Sequence, residues 1–277
     1  MKITIHKNEI ELTGLIDFDL EKTFECGQCF RWNVDEHGAY IGVAFGRVVK
    51  VRQCGNSVFI CCNEKEYYSV WHNYFDLSRD YSLIRKHLSI DDFMKKAIEH
   101  GKGIRLLCQD TWETLCSFII SQNNNIPRIK SIINTLCREF GDEIVYGGQS
   151  YYTFPSADTI AGLNAAELSP LRCGYRAEYI LRSAKAIVEE ALNLDELESY
   201  TPDKTRTALK TLYGVGDKVA DCVMLFGLHM LDAFPVDVWM KRAVDKNYGI
   251  GFDPKIFSPY AGIAQQYIFH YMRNITS

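Results

Sequence analysis

Residues 212–224 read LYGVGDKVADCVM, and the fold turns on this stretch. Gly214 and Gly216 bracket one valine, and Asp217 and Lys218 follow. Val219, Cys222, Val223 and Phe226 then recur at the spacing of one buried helical face. Upstream, KTRTALKTLY (204–213) carries Ala208, Leu209 and Leu212 on one side, so a helix also precedes the glycines. Gly214 permits positive φ where the first helix ends, and Gly216 permits close backbone approach where the second begins. The segment at about 204–228 therefore reads as helix, tight hairpin, helix. N–H groups at the second helix start face outward and suit a phosphate. A dinucleotide fingerprint needs a strand before its glycines, and a Walker loop needs a Gly-Lys-Ser/Thr ending; neither is present. For these residues alone, a plain interhelical turn remains the alternative.

Lys218 stands one step into the second helix. The positive end of the helix dipole disfavours an ammonium there, and partial burial pushes the same way. An uncharged amine is a nucleophile. Nineteen residues on stands Asp237, in FPVDVW (234–239), where Pro235 holds the chain extended and Asp237 can cap VWMKRAVDK. A nucleophilic amine beside a fixed carboxylate suits a cationic transition state. A simple helix cap is the other reading of Asp237.

Outward from the hairpin, the chain divides by pattern. KITIH, YIGVAF, RVVKVRQ and SVFICC alternate as strands, with turns at HKNE, GR and CGNS. Helical periodicity begins near residue 65 and continues through almost all of residues 101–277. The expected fold is α+β by segregation: an N-terminal domain (1–100) with an antiparallel β-sheet, then a mainly α-helical body (101–277). At 47% apolar residues the 277-residue chain can bury a sizeable core. Net charge is −4 with no basic excess in either part, so any polyanion site must be local. None of the apolar runs is long enough to span a bilayer. MKITIHKNEI lacks the apolar region of a signal peptide, and several of the ten cysteines fall on apolar helical faces. Reduced thiols and a cytoplasmic location are expected. Cys26 and Cys29 form a CxxC without the further ligands of a zinc site, so no metal is expected there.

Hairpin, lysine and PVDVW together resemble the helix-hairpin-helix (HhH-GPD) superfamily of DNA repair glycosylases. GQCFRW (27–32), FIISQNNNIPRI (118–129), CGYRAEYI (173–180), GVGDKVADC (214–222) and AGIAQQYIF (261–269) narrow the resemblance to 8-oxoguanine DNA glycosylase/AP lyase, in that family's order. The resemblance implies a bifunctional enzyme of base excision repair, a monomer acting on double-stranded DNA with 8-oxoguanine, preferably opposite cytosine. Lys218 matches the family's nucleophile and Asp237 its aspartate. Gly27, Cys222, Gln265 and Phe269 match the base pocket: Gly27 accepts the N7–H that guanine lacks, Cys222 and Phe269 sandwich the base, and Gln265 reads its Watson–Crick edge. Asn123, Arg128 and Arg176 are implied to meet the orphaned cytosine, Tyr175 to wedge into the kink, and Gly214 and Gly216 to hold phosphate. Trp239 replaces the histidine of eukaryotic members. No cysteine follows Cys222, so the iron–sulfur cluster of some relatives is not expected. No catalytic cofactor is implied, although main-chain carbonyls of Lys210, Leu212 and Val215 could hold a structural monovalent cation. Two alternatives stay open: a glycosylase for other oxidised or alkylated bases, and a non-catalytic hairpin module that binds DNA.

Overall fold

The computed structural model of the chain describes residues 1–15 and 17–275. Six strands form one antiparallel sheet: β1 (Lys2–Ile5), β2 (Ile10–Thr13), β3 (Trp32–Val34), β4 (Tyr40–Ala44), β5 (Arg47–Cys54) and β6 (Ser57–Ile60), in the order β1-β2-β6-β5-β4-β3. Ile10 pairs with Ile60, Leu12 with Val58 and Val51 with Ile60. These residues and Val49 are fully buried, so alternate positions of the central strands supply one core face. Between β2 and β3 lies α1 (Leu20–Glu25); after β6 come α2 (Glu64–Glu66) and α3 (His72–Tyr74), joined by a π-helical stretch at Tyr67–Trp71. Phe24 stacks on Trp32 with centroids 4.0 Å apart, and the Trp32 indole donates to Tyr74 Oη at 2.8 Å. The chain is thus α+β, with the sheet at its N-terminal end.

Helices α4 (Tyr81–Leu88) and α5 (Asp92–Gly101) lead into α6 (Thr111–Ser121) and α7 (Ile126–Phe140). Then follow α8 (Ala157–Ala161), α9 (Arg176–Val188), α10 (Pro202–Leu209), α11 (Asp217–Phe226), α12 (Val238–Tyr248) and α13 (Ala261–Ile275). Asp110 and Asn125 cap α6 and α7 by accepting from the N–H groups of Glu113 and Arg128. The helical body carries one β-element that helical periodicity hid, a hairpin of β7 (Glu143–Tyr146) and β8 (Gln149–Tyr152). Its turn is Gly147–Gly148, both at positive φ, the geometry that a two-residue hairpin demands. Two further short strands lie at the N-terminal end, outside the alternating stretches: β2, after the HKNE turn, and β3, which starts at the last residue of GQCFRW.

Two hydrophobic cores form, and they do not part at residue 100. Tyr81, Ile84 and Leu88 of α4 and Met94, Ala97 and Ile98 of α5 join the large helical core. These helices therefore pack with the body, α5 directly against α13, while Leu107 returns to the smaller core under the sheet. The CxxC straddles the seam: Cys26 points into the helical core and Cys29 into the sheet core. Both are free buried thiols.

Candidate active site

Fully buried Gln28 fixes the loop next to this seam. Its amide donates to the carbonyls of Thr23 and Arg105, both at 2.8 Å, and accepts from the Leu107 N–H at 2.9 Å. Neighbouring Gly27 is thereby held at φ +84°, a conformation that side-chain-bearing residues rarely adopt. The hairpin forms as its sequence predicts. Gly214 sits at φ +82°, and α11 starts from Gly216 with no side-chain cap, which leaves its first N–H groups for an anion. Asp237 is the N-cap of α12, and its Oδ1 accepts from the Met240 N–H at 2.7 Å.

These separate pieces meet. A pocket of about 60 Å³ is walled by Gly27, Lys218, Cys222, Asp237, Gln265 and Phe269, which come from four distant parts of the chain. They are the six residues assigned from sequence to catalysis and base binding. At that volume the pocket has room for a few waters. Phe118 and Phe226 back it, stacked 5.2 Å apart. Lys218 Nζ donates to Ser121 Oγ at 3.0 Å and lies 4.8 Å from the Phe118 ring centroid. The Ser121 hydroxyl in turn donates to the Phe118 carbonyl at 2.8 Å. Burial pushes the Cys222 thiol up to about 11, against the opposing pull of nearby Lys218. It is therefore a neutral, polarisable wall at physiological pH and no competing thiolate. Gln265 is buried, and its Oε1 accepts from the Gln266 amide at 2.7 Å.

A second group lies at the mouth. Asn123 is exposed at φ +47°, and its amide donates to Tyr175 Oη at 3.4 Å. Arg128 is exposed and donates to the Arg172 carbonyl at 3.1 Å. Arg176 departs from expectation. It is buried, and its guanidinium is occupied by main-chain carbonyls: Nε donates to Gln122 at 2.8 Å, Nη1 to Cys173 at 3.2 Å, and Nη2 to Asn123 at 3.0 Å and again to Gln122. Instead of presenting a free fork to a base, it builds the loop that carries Asn123. Ser121, Gln122 and Gln28 were not singled out in the sequence, although all three lie inside quoted motifs. Their roles are bonds to the backbone or to Lys218, which no spacing rule marks.

Charge is local, as the acidic total requires. Arg128, Arg172 and Arg182 are exposed in the region of Tyr175 and Tyr213, themselves about half exposed. Beside Asp237, Val236, Val238 and Trp239 form an exposed apolar rim. A larger cleft of about 820 Å³ lies elsewhere, between α7, the sheet edge and the β7–β8 hairpin. It contains none of the candidate catalytic groups, and its cations Arg31, Lys130 and Arg138 are paired with Glu113, Glu25 and Glu139.

Residues 116–256 match the HhH-GPD superfamily of base excision DNA repair proteins, and residues 12–115 match the 8-oxoguanine DNA glycosylase N-terminal domain. The chain belongs to the 8-oxoguanine DNA glycosylase family. It is similar to the N-glycosylase/DNA lyase of Saccharomyces cerevisiae, at 34% identity covering 90% of this chain and 71% of that protein. It is also similar to the N-glycosylase/DNA lyase of Arabidopsis thaliana, at 31% identity covering 91% and 77%. Among solved structures it resembles the 8-oxoguanine glycosylase/lyase of Clostridium acetobutylicum in complex with double-stranded DNA containing cytosine opposite 8-oxoguanine. That likeness has a TM-score of 0.94 and 39% identity, and covers 100% of this chain and 99% of that one. A 3-methyladenine DNA-glycosylase from Archaeoglobus fulgidus shares the fold at 21% identity, with a TM-score of 0.71. Among the described residues no helix is long and apolar enough to cross a membrane.

Proposed function

We propose that this protein excises 8-oxoguanine from duplex DNA and then nicks the strand, as a DNA N-glycosylase with AP lyase activity in base excision repair. The observation that carries the reading is the convergence of Lys218, Asp237, Cys222, Gln265, Phe269 and Gly27 on one pocket beside an uncapped helix start. The damaged nucleotide leaves the base stack, because its C1′ cannot be reached inside a duplex. Phosphates beside it rest on the N–H groups at Gly214–Lys218. Lys218 Nζ attacks C1′ as the C1′–N9 bond breaks, and the departing base carries that electron pair away. Asp237, held by its capping bond, opposes the positive charge that develops on the sugar. The sugar ring opens to a Schiff base with Lys218. The imine acidifies the C2′ proton, and its loss expels the 3′ phosphate by β-elimination. Hydrolysis of the imine then frees Lys218.

Discrimination falls to the Gly27 carbonyl, which accepts the N7–H of 8-oxoguanine and meets a lone pair in guanine. Leaving such a buried pair unmade costs about 1–3 kcal/mol. Neutral Cys222 and the Phe269 ring take the two faces of the base, and Gln265 its Watson–Crick edge. Asn123 and Arg128 face the opposite strand, Tyr175 fills the kink, and cytosine is the preferred partner base. No catalytic cofactor enters this scheme. A structural monovalent cation at the hairpin fits the chain: among the described residues the Lys210 and Val215 carbonyls accept no backbone hydrogen bond outside regular elements, and Leu212 accepts one, from Val215 at 3.1 Å. Ten free cysteines support a reducing, cytoplasmic compartment, with the protein held at the nucleoid by DNA.

The test is borohydride trapping on a duplex with one 8-oxoguanine opposite cytosine. Wild type is expected to form a covalent adduct, and Lys218→Gln to form none while keeping its melting temperature. Binding without an adduct would place the protein with non-catalytic hairpin modules. Release of alkylated bases in preference to 8-oxoguanine would overturn the substrate.

A further inference from the structure

One face of α9 presents Tyr175, Tyr179 and Arg182 in register, at the spacing where helical side chains stack. The Tyr175 and Tyr179 rings lie 5.2 Å apart, centroid to centroid. Tyr179 then meets Tyr213 edge to face, at 5.2 Å and 90°. Tyr213 immediately precedes the hairpin glycine, and the Tyr179 ring covers that glycine closely: a Cβ on Gly214 would fall 2.2 Å from Tyr179 Cδ2. The Arg182 guanidinium stacks on Tyr213 at 4.3 Å and is itself held by Glu178 at 2.6 Å.

The same contacts close into a ring through the other loop. Tyr175 Oη accepts from Asn123, and Arg176 lies 4.6 Å from the Tyr175 ring while bonding the Gln122 and Asn123 carbonyls. The Gln122 amide donates to the Gly214 carbonyl at 3.2 Å. The circuit runs from Gly214 through Tyr179, Tyr175, Asn123 and Gln122 back to Gly214. Tyr179 is half-buried and is not among the residues around the pocket, and among the described residues its hydroxyl makes no hydrogen bond. Its ring is thus the one link in the circuit made by shape alone.

We propose that Tyr179 is a positioning residue that fixes the wedge Tyr175 to the phosphate-gripping hairpin, so that strand bending and phosphate binding act as one unit. The proposal rests on the functional reading above. Unstacking a base step is unfavourable, and phosphate contacts offset it only if the wedge and the grip are rigidly joined. Tyr179 is the splice between them. Its ring plane matters and its hydroxyl does not.

The experiment compares Tyr179→Leu, which keeps apolar volume without the ring, with Tyr179→Phe, which keeps the ring without the hydroxyl. Two reactions are followed under single-turnover conditions: excision of 8-oxoguanine from a fully paired duplex, and borohydride trapping at a preformed abasic site, where no base has to be extracted. A 2-aminopurine beside the lesion reports unstacking. Tyr179→Leu is expected to lose about tenfold or more in excision, with a smaller 2-aminopurine signal, and to stay within about twofold in abasic trapping. Tyr179→Phe is expected to match wild type in all three. Equal losses by Tyr179→Leu in both reactions would mean general loosening and overturn the proposal. So would no loss, or a Tyr179→Phe defect as large as that of Tyr179→Leu. A wild type inactive on both substrates overturns the functional reading and this proposal together; an active wild type with any of the other patterns overturns this proposal alone.

Discussion

Lys218 and Ser121 are joined by a hydrogen bond of 3.0 Å from Nζ to Oγ, across 97 residues of sequence. The hydroxyl spends its own proton on the Phe118 carbonyl, so its lone pairs face the amine. An amine anchored at one N–H and resting over an aromatic face points in a restricted direction. Ser121→Ala removes the anchor and leaves the fold. Excision and adduct formation are expected to slow by about tenfold, as reacting atoms lose alignment, with less than about 1.5 kcal/mol lost in stability. Single-turnover rates and thermal melting check this. Unchanged rates would make Ser121 a packing residue.

Asp237→Asn separates a cap from a catalytic charge. The Asn oxygen can still accept from the Met240 N–H, now at 2.7 Å, so stability should fall by no more than about 1 kcal/mol. Excision should fall by about 10²–10³, the usual cost of losing one preorganised electrostatic partner. Intact excision with a sharply lower melting temperature would leave Asp237 a cap and nothing more.

Arg128 and Arg176 are expected to behave differently, although their sequence context suggests one role. Exposed Arg128 spends one donor on the Arg172 carbonyl and keeps others free, a fork suited to the acceptors N3 and O2 of an unpaired cytosine. Arg128→Met should therefore erase a cytosine preference of roughly 1–3 kcal/mol and leave the other opposite bases little changed. Arg176→Met strands the Gln122 and Asn123 carbonyls and should slow excision opposite all four bases alike, with a lower melting temperature. Rates with each opposite base, for both variants, decide. A cytosine-specific defect in Arg176→Met would restore it to base reading.

The contrast between the two arginines shows where the sequence stops. Lys218, Asp237 and the hairpin were legible because helix ends are written locally: glycines for a turn, a carboxylate before a helix, an apolar stripe after it. The pocket's other members became legible only through the order of five motifs, since Gln265 and Phe269 look like any core positions on α13. Arg176 could not be read, because its role depends on which carbonyls lie nearby after folding, and Gln122 and Asn123 are more than fifty residues away. The β7–β8 hairpin was missed for a different reason. Its Gly147–Gly148 turn and flanking tyrosines are sound strand signals, but they sit between long helical patterns that dominate any wider window.

His270 gives the fold a pH dependence of definite sign. It follows Phe269 on α13, and burial, helped by the charges of His100, Lys22 and Arg273 and opposed by Asp19, lowers it from 6.5 to about 4. The folded protein binds that proton less tightly than the unfolded chain does. Between pH 6.5 and about 4 the unfolded chain holds more protons, so His270 subtracts stability as pH falls through that window. Melting temperatures of wild type and His270→Gln should converge with falling pH if the glutamine is the less stable at neutral pH, and in every case wild type should show the steeper acid loss. Parallel curves would remove His270 from the titration.

On the proposed reading, Gly27 joins backbone geometry to substrate choice. At φ +84°, any side chain there adopts a left-handed conformation that costs roughly 1–2 kcal/mol. A Cβ would sit 3.4 Å from Phe269 Cε1 and 3.8 Å from Ile126 Cδ1, close but not clashing. Gly27→Ala should therefore fold, with a modest loss of stability. A bulkier Gly27→Val pushes further into a pocket that is only about 60 Å³. Excision of 8-oxoguanine should fall progressively from glycine to alanine to valine. Binding to undamaged duplex should hardly change, because it depends on the hairpin, the Asn123 loop and exposed arginines outside this pocket. Gel-shift affinity for undamaged and damaged duplexes, measured beside single-turnover excision, separates the two effects. Loss of affinity for the damaged duplex alone, in step with lost excision, would assign Gly27 to the recognition of the flipped base. Equal loss on both duplexes would make it a scaffold glycine whose replacement unsettles the Gln28 loop.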